Sequence, residues 1–387
     1  MPQHRVHGAL LFGMKPSAFW IVLTALPLLS GVCQPTLFAG DVRLQDLKLP
    51  EGFHISIYAT GVKNARAMCW GAKGTLFVGS RDEGSVYAVL DTDQDHVADQ
   101  VVTVAKDLKM PVGVAFKDGH LYISAVSSIV RLRDIEDHLL DPPTPELITD
   151  AFPSETHHGW KFIAFGPDGK LYVPVGAPCN ICEPTDSIFA TITRISVDGG
   201  GPEIVAKGVR NSVGFDWDPR DSSLWFTENG RDMMGNDLPD CELNKLTRTG
   251  EHFGYPYCHA GDVADPEFGS KHLCNEFTPP VAKLGPHVAP LGMRFYRGSM
   301  FPESYRGAMI IAEHGSWNRS IPVGYRLVIA RPRPDGTAAQ EVFVEGWLKG
   351  SSAWGRPADV LEMPDGSLLV SDDAADLIYR ITYEEQR

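Results

Sequence analysis

An all-β, six-bladed β-propeller is the fold this sequence predicts, and two observations predict it. One is a phrase that recurs six times, a turn containing Gly or Asp followed by a short apolar run rich in β-branched and aromatic residues. The copies read AKGTLFVGS from Ala72, KDGHLYISA from Lys117, PDGKLYVPV from Pro167, RDSSLWFTE from Arg220, YRGAMIIAE from Tyr305 and PDGSLLVSD from Pro364. The other is their spacing, since Leu76, Leu121, Leu171, Leu224, Met309 and Leu368 lie 45, 50, 53, 85 and 59 residues apart. Intervals of that size hold four short strands and their turns, which is one propeller blade.

Before each copy comes a second recurring segment, expected to form the innermost strand of its blade. These segments read KNARAMCW, KMPVGVAF, HHGWKFIAF, RNSVGFDW, HVAPLGMRFY and GRPADVLEM. At or near their starts stand Arg66, Pro111, His157 with His158, Arg210 with Asn211, His287, and Arg356. A closed ring brings these starts to one mouth of the central channel. Arg66, Arg210 and Arg356 at equivalent positions would make a site for a polyanion, because guanidinium binds carboxylate bidentately. The alternative is that each arginine only pairs with a neighbouring blade. FHISIYA from Phe53 is expected to complete the last blade beside LIYRITY from Leu377, and the interval of 85 implies an insertion at about 231–286.

The composition suits such a ring. Hydrophobic residues make up 43% and charged residues 22%, with 38 Gly and 29 Pro for turns, so the chain is neither disordered nor fibrous. Long helical periodicity is absent, apart from a turn or two near RLRDIEDHLL. A length of 387 would allow two or three domains, but the evenly spread repeat favours one ring over 41–387.

Residues 1–40 read as a secretory signal. The run AFWIVLTALPLLSGV after Met14 and Lys15 is too short for a stable membrane span, and cleavage is expected near Ala39 or Gly40. A lipoprotein anchor at Cys33 is disfavoured, because Val32 stands where a small residue is wanted. The expected location is periplasmic or secreted. Removing this segment takes away Arg5 and Lys15 and no acid, so the formal charge falls from -14 to -16. A chain so acidic repels nucleic acid and anionic membrane.

Export permits disulfides, and six cysteines remain after Cys33. Cys179 and Cys182 could form a tight local bridge, and Cys258 with Cys274 could staple the insertion. Cys69 and Cys241 are left as a pair or as buried thiols. A metal at Cys179 and Cys182 would need two further soft ligands. In DTDQDHVAD, the acids Asp91, Asp93, Asp95 and Asp99 could curl around a hard cation such as calcium, although His96 stands where such a loop usually has Gly. The alternative is a solvated acidic turn between strands.

Taken together, ARAM with LFVGSRDEGSVYAV, DTDQDHVAD, THHGWKF, GAPCN, GVRNSVGFDW, TENGRDMMGNDLPDCELN, HFGYPYC, HVAPLGMRFY and EHGSWNRS resemble the glucose/sorbosone dehydrogenase family of six-bladed propellers, nearer its sorbosone branch. The likeness covers nearly everything after residue 45. It implies a periplasmic quinoprotein that binds pyrroloquinoline quinone (PQQ) and calcium in the channel mouth. Such a protein oxidises a sugar or related alcohol and passes electrons to a separate acceptor of the quinone or cytochrome c type. PQQ carries three carboxylates, which suits the converging arginines. A nicotinamide enzyme would instead need a strand leading into GxGxxG, and none is present.

By the same resemblance His157 matches the catalytic base, with His158 as the rival. Arg210 and Asn211 match a pair that contacts the quinone oxygens, and Arg356 matches a carboxylate-binding arginine. Gly230 and Arg231 occupy a loop whose carbonyls hold calcium. Arg319 and Arg326 are candidates for the role of a family lysine, and Trp317 for stacking over the ring, against a buried position between blades. One departure matters. Where the glucose branch has an Asp that orients the catalytic His, this chain has Ala177, so the His tautomer lacks a carboxylate to fix it. Two other classes compete: a calcium-dependent sugar lactonase, whose channel metal needs inward Glu, Asp and Asn, and a non-enzymatic carbohydrate-binding propeller that uses its exposed loops.

Overall fold

The computed structural model describes residues 42–385, and in it the repeat becomes six sheets, each with four antiparallel strands in blade order. The signal segment expected over 1–40, with Cys33, lies outside the described residues. The inner strands are Ala65–Trp70, Val114–Lys117, Ala164–Phe165, Phe215–Trp217, Pro290–Phe295 and Pro357–Glu362. Five fall within their channel segments and Val114–Lys117 runs one residue past KMPVGVAF, while each recurring phrase supplies the turn and the second strand.

Second strands such as Leu76–Ser80, Leu171–Val175 and Met309–Glu313 are buried along their whole length. Both faces of a blade are covered by its neighbours, so these strands read as continuous apolar runs, not as alternating patterns. Six apolar clusters fill the six seams between adjacent blades. The turns before the second strands need left-handed backbone. Asp118 and Gly119 take φ 52 and 83, and Ser222 takes φ 58 in the copy that has no Gly. Among the described residues helix is confined to four short 3-10 turns, one of which, Ile135–Asp137, falls in RLRDIEDHLL.

The ring closes across the chain ends. Phe53–Thr60 pairs antiparallel with Leu377–Tyr383, from Phe53 opposite Tyr383 to Thr60 opposite Leu377. Across the seam between sixth and first blades, Met68 N–H donates to Asp359 Oδ2 at 2.9 Å, and Ser371 Oγ donates to the Arg66 carbonyl at 2.8 Å. Phe53 is 7% exposed, with its ring centroid 4.9 to 5.1 Å from those of Phe301, Tyr305, Phe343 and Tyr383.

The insertion is narrower than the spacing implies. The third strand of the fourth blade, Asp240–Leu246, and its outer strand, Ala282–Pro286, both lie inside 231–286. The inserted chain therefore runs from about 247 to 281. It leaves the face opposite the mouth and climbs beside the third blade, where Glu251–His252 adds a parallel strand to Glu203–Lys207. It carries the bridge Cys258–Cys274, whose Cα atoms lie 5.3 Å apart; Cys179–Cys182 is also bridged, with Cα atoms 6.2 Å apart. Cys69 and Cys241 are free thiols, and burial pushes that of Cys241 up to about 11.

Two stability measurements check this account. Phe53→Ala, which empties the aromatic cluster at the closing strand, should cost about 3–5 kcal/mol in denaturant unfolding. Replacing Cys258 and Cys274 together by Ser should cost about 3 kcal/mol, the amount expected for opening a loop near 15 residues.

Candidate functional site at the channel mouth

Inner strands begin at one face of the ring and second strands end there, so both sets of loops build the same mouth. It holds a cavity of about 330 Å³ lined by Arg66, Arg81, His158, Trp160, Arg210, Asn211, Asn229, Gly230, Asp232, Cys241, His287, Ala289, Leu291, His314, Gly315, Trp317 and Arg356. That volume is ordinary for a small-molecule site. Four arginines face one lining carboxylate, that of Asp232. Despite the negative net charge, the mouth is cationic.

The arginines are held differently. Arg66 is 6% exposed; its Nη2 lies 2.7 Å from Asp373 Oδ2, while its Nε is buried without a partner. Arg81 lies with its guanidinium carbon 4.4 Å from the Trp160 ring centre, and both Arg81 Nε and Trp160 Nε1 are buried donors without partners. Arg356 donates from Nε to the His314 carbonyl at 3.1 Å and from Nη2 to that of Gly315 at 2.9 Å. Arg210, 2% exposed, is bound most completely. Its Nε donates to Asn180 O at 2.9 Å and its Nη1 to the carbonyls of Asn229 and Gly230 at 3.1 and 2.9 Å. Nη2 donates to Asn180 Oδ1 at 2.8 Å and Asp232 Oδ2 at 3.0 Å. Those five bonds match the five N–H groups of a guanidinium, so a ligand can meet only its planar face.

The two histidines lie in a turn, where His158 has φ 51, and not in a strand that would send them to opposite faces. Their ring centroids are 4.1 Å apart. His158 is buried and lines the cavity, whereas His157 is exposed at the rim. His158 Nδ1 lies 2.9 Å from the Ala177 carbonyl. A carbonyl can only accept, so Nδ1 carries the proton and Nε2 is left as an acceptor. The backbone of Ala177 thus fixes a tautomer where its side chain cannot. Burial, aided by the charge of Arg210, lowers the pKa of His157 and lowers that of His158 further.

Of the other residues singled out by the sequence, Arg319, Arg326 and Arg231 sit outside the cavity lining. Arg319 pairs with Asp237 at 3.1 Å, and Arg326 with Glu313 at 2.6 Å. Arg231 turns its side chain to Asp265 on the insertion, which also lies 2.9 Å from His259 Nε2. Trp317 is 69% exposed and overhangs the mouth, not buried between blades. The acidic hairpin joins the third and outer strands of the first blade, at the face opposite the mouth. Its acids largely cap their own backbone: Asp99 accepts from Thr92, Asp91 from His96 N–H, and Asp95 from Val97 N–H. Oxygens of Asp91, Asp93 and Asp99 lie within 4.8 Å of one another, without Asp95. His96 supplies the left-handed turn at φ 67.

Residues that inner-strand reasoning missed come from the ends of second strands. Arg81, Asn229, His314 and Asp373 each follow directly on such a strand. His314 Nε2 lies 2.8 Å from Asp373 Oδ1. Burial raises the Asp373 carboxyl, but Arg66 and His314 outweigh it and hold the pKa far below the usual range. The last residues of three second strands are themselves buried acids. Burial raises Glu228 well above the carboxylate range, Glu313 to about 7 and Asp372 to about 6. Glu228 and Asp372 accept the backbone N–H groups of Arg210 and Arg356, at 2.6 and 2.8 Å.

The donor set suits an anionic, planar ligand such as PQQ, since buried donors of Arg66, Arg81 and Trp160 lack partners. The Gly230 carbonyl, which the resemblance assigns to calcium, accepts from Arg210 Nη1 at 2.9 Å and keeps a second lone pair.

Fold and mouth together define a six-bladed propeller with a cationic ligand cavity on its axis. The chain belongs to the family described as "Domain of unknown function (DUF7133)", which matches residues 41–382. An "Uncharacterized protein" of Borreliella burgdorferi is 34% identical over 95% of this chain and 98% of its own length. A pyrroloquinoline quinone-dependent pyranose dehydrogenase of Coprinopsis cinerea is 22% identical over 73% of this chain, which spans only 44% of that protein. Among solved structures, a Trichoderma reesei carbohydrate-active enzyme of family AA12 superposes with a TM-score of 0.76 at 20% identity, covering 87% of this chain and 98% of the other. The PQQ domain of the C. cinerea pyranose dehydrogenase gives 0.73 at 19%, covering 87% and 97%.

The buried acids predict a pH dependence. A carboxyl whose folded pKa exceeds its unfolded one contributes stability below the unfolded value, and that stability is lost as pH rises to the folded pKa. For Glu313 the window runs from 4.5 to about 7. Glu313→Gln should therefore lose less stability than the parent between pH 5 and 8, by about 3 kcal/mol at 1.36 kcal/mol per unit, read from denaturant midpoints at both values.

Proposed function

We propose that the protein is a PQQ-dependent oxidoreductase acting on a sugar or a sugar-derived alcohol or aldehyde. The observation that carries this reading is the cationic mouth with spare buried donors. PQQ-dependent sugar dehydrogenases of the same fold support it. Arg66, Arg81 and Arg356 hold the carboxylates, while Arg210 supports the ring through its guanidinium face and Asn211 reaches it with its side-chain amide. Trp317 covers the mouth. Bound there, PQQ would supply the acceptor for the hydride that leaves the substrate carbon. His157 at the rim takes the hydroxyl proton, and His158 beneath it is locked in one tautomer. Calcium would sit at the carbonyls of the Gly230 and Arg231 loop, and in this proposal the arginines hold the carboxylates of PQQ.

Electrons then pass to a separate acceptor of the quinone or cytochrome c type. The sorbosone-type subclass rests on sequence resemblance, and specificity on the loops around the rim. A periplasmic or secreted location agrees with two disulfides. Among the described residues no helix is long and apolar enough to cross a membrane. A lactonase-type metal site finds only Asp232 as a lining acid.

The deciding experiment is titration of the purified protein with PQQ, followed by its absorbance and by its reduction with sugars. Absence of binding, with or without calcium, overturns the reading. Arg81→Ala and Arg356→Ala should each weaken PQQ binding by about 1.5–3 kcal/mol, as for hydrogen bonds to a charged group; unchanged affinity in both removes the clamp. His157→Ala should leave PQQ binding intact and slow reduction about 10²–10⁴-fold, and His158→Ala should cost less. Because burial and Arg210 disfavour imidazolium, activity should set in below the ordinary His value of about 6.5.

A further inference from the structure

Asn180 sits in the mouth loop that joins Leu171–Val175 to Thr191–Ile195, between the bridged Cys179 and Cys182. Its contacts concentrate on Arg210 and on the loop that follows the second strand of the fourth blade. The backbone oxygen and Oδ1 of Asn180 take two of the five Arg210 bonds, at 2.9 and 2.8 Å. Its side chain also pairs with the backbone of Asp232 in both directions: Nδ2 donates to Asp232 O at 3.0 Å, and Oδ1 accepts from Asp232 N–H at 2.8 Å. Asp232 closes the circle by pairing with Arg210 at 3.0 Å. The loop is anchored from outside by Tyr255, a buried residue of the insertion. Its Oη accepts from Cys182 N–H at 3.0 Å and lies 3.3 Å from Cys179 Sγ.

We propose that Asn180 is the positioning residue that holds the Arg210 guanidinium in its plane, and that the Cys179–Cys182 bridge acts by holding Asn180. A guanidinium this buried keeps its aim only while its donors are met, since an arginine on its own rotates about several bonds. Asn180 lies on the third blade and Arg210 opens the fourth, so without the bridge nothing covalent keeps the amide at the seam. Asn180 itself touches no substrate; it acts through Arg210. The inference rests on the PQQ reading for its consequence, but the clamp itself can be read in cofactor-free protein.

The test compares the parent with Asn180→Ala, Asn180→Asp, the double change Cys179→Ser with Cys182→Ser, and the triple change that adds Asn180→Ala. Hydrogen exchange of the peptide covering 229–232 is followed without cofactor, and PQQ affinity by titration. Asn180→Ala should speed exchange there and weaken PQQ by about tenfold or more, the scale for losing a supporting partner, with exchange in the first and second blades unchanged. Asn180→Asp keeps both acceptors for Arg210 and should restore most of the affinity. The double Cys change should reproduce Asn180→Ala, and the triple should add nothing to it. Unchanged exchange and affinity in Asn180→Ala overturn the proposal, as does a Cys effect that persists in full on top of Asn180→Ala. If the parent binds no PQQ while exchange at 229–232 responds as described, the clamp stands and the PQQ reading falls.

Discussion

A closed ring of antiparallel blades sends the start of every inner strand and the end of every second strand to the same face, and the site depends on that constraint. Arg66 and Arg356, on the first and sixth blades, share one cavity wall because the ring returns to its beginning. The residues that line the mouth also join the blades. Arg66 pairs with Asp373 of the sixth blade, Arg356 with carbonyls of the fifth, and Arg210 with Asn180 of the third. The two sequence readings of these arginines, ligand holder and blade-to-blade partner, are compatible. In Arg66 and Arg356 some donors tie the seam and others are left over, whereas Arg210 commits all five and presents its planar face.

Burial makes these charges expensive, and the structure offsets the cost locally. Arg210 loses hydration and gains five hydrogen bonds and the field of Asp232; Arg66 gains Asp373. Behind them, Glu228, Glu313 and Asp372 are pushed toward the neutral form by burial. The result is a cationic pocket inside an acidic protein. Net charge argues against a polyanionic partner such as nucleic acid, but a recessed cluster of like charges focuses its field on a small anion that fits inside.

Much of this was legible in the sequence because the repeat has a fixed register. The phrase ending LFVGS or MIIAE gives a second strand, the segment before it gives an inner strand, and FHISIYA could be paired with LIYRITY because the sixth unit lacked a fourth strand. Both bridges followed from local spacing. What the sequence did not yield were residues whose role depends on the far end of the second strand. His314 and Asp373 stand directly after MIIAE and LLVSD, so the same register would have found them had it been carried one residue further. Arg319 and Arg326, candidates only through the resemblance to a family lysine, sit against Asp237 and Glu313. The bounds of the insertion were misread because the two strands that flank it, Asp240–Leu246 and Ala282–Pro286, carry no copy of the recurring phrase. The tautomer of His158 could not be read at all, since it is fixed by a backbone carbonyl, and a backbone carbonyl leaves no trace in residue identity.

The closing strand has a kinetic side. Phe53 and Tyr383 are paired although nearly the whole ring separates them in sequence. Such a contact repays its loop-closure entropy only after the intervening blades have formed, which places this protein among slow-folding topologies of high contact order. Until Phe53–Thr60 docks, Leu377–Tyr383 is an open edge whose residues are mostly apolar. An edge of that kind accepts a strand from any copy that offers one. The same pairing that covers Leu377–Tyr383 in the finished ring therefore makes its unfinished form the stage most open to exchange between chains.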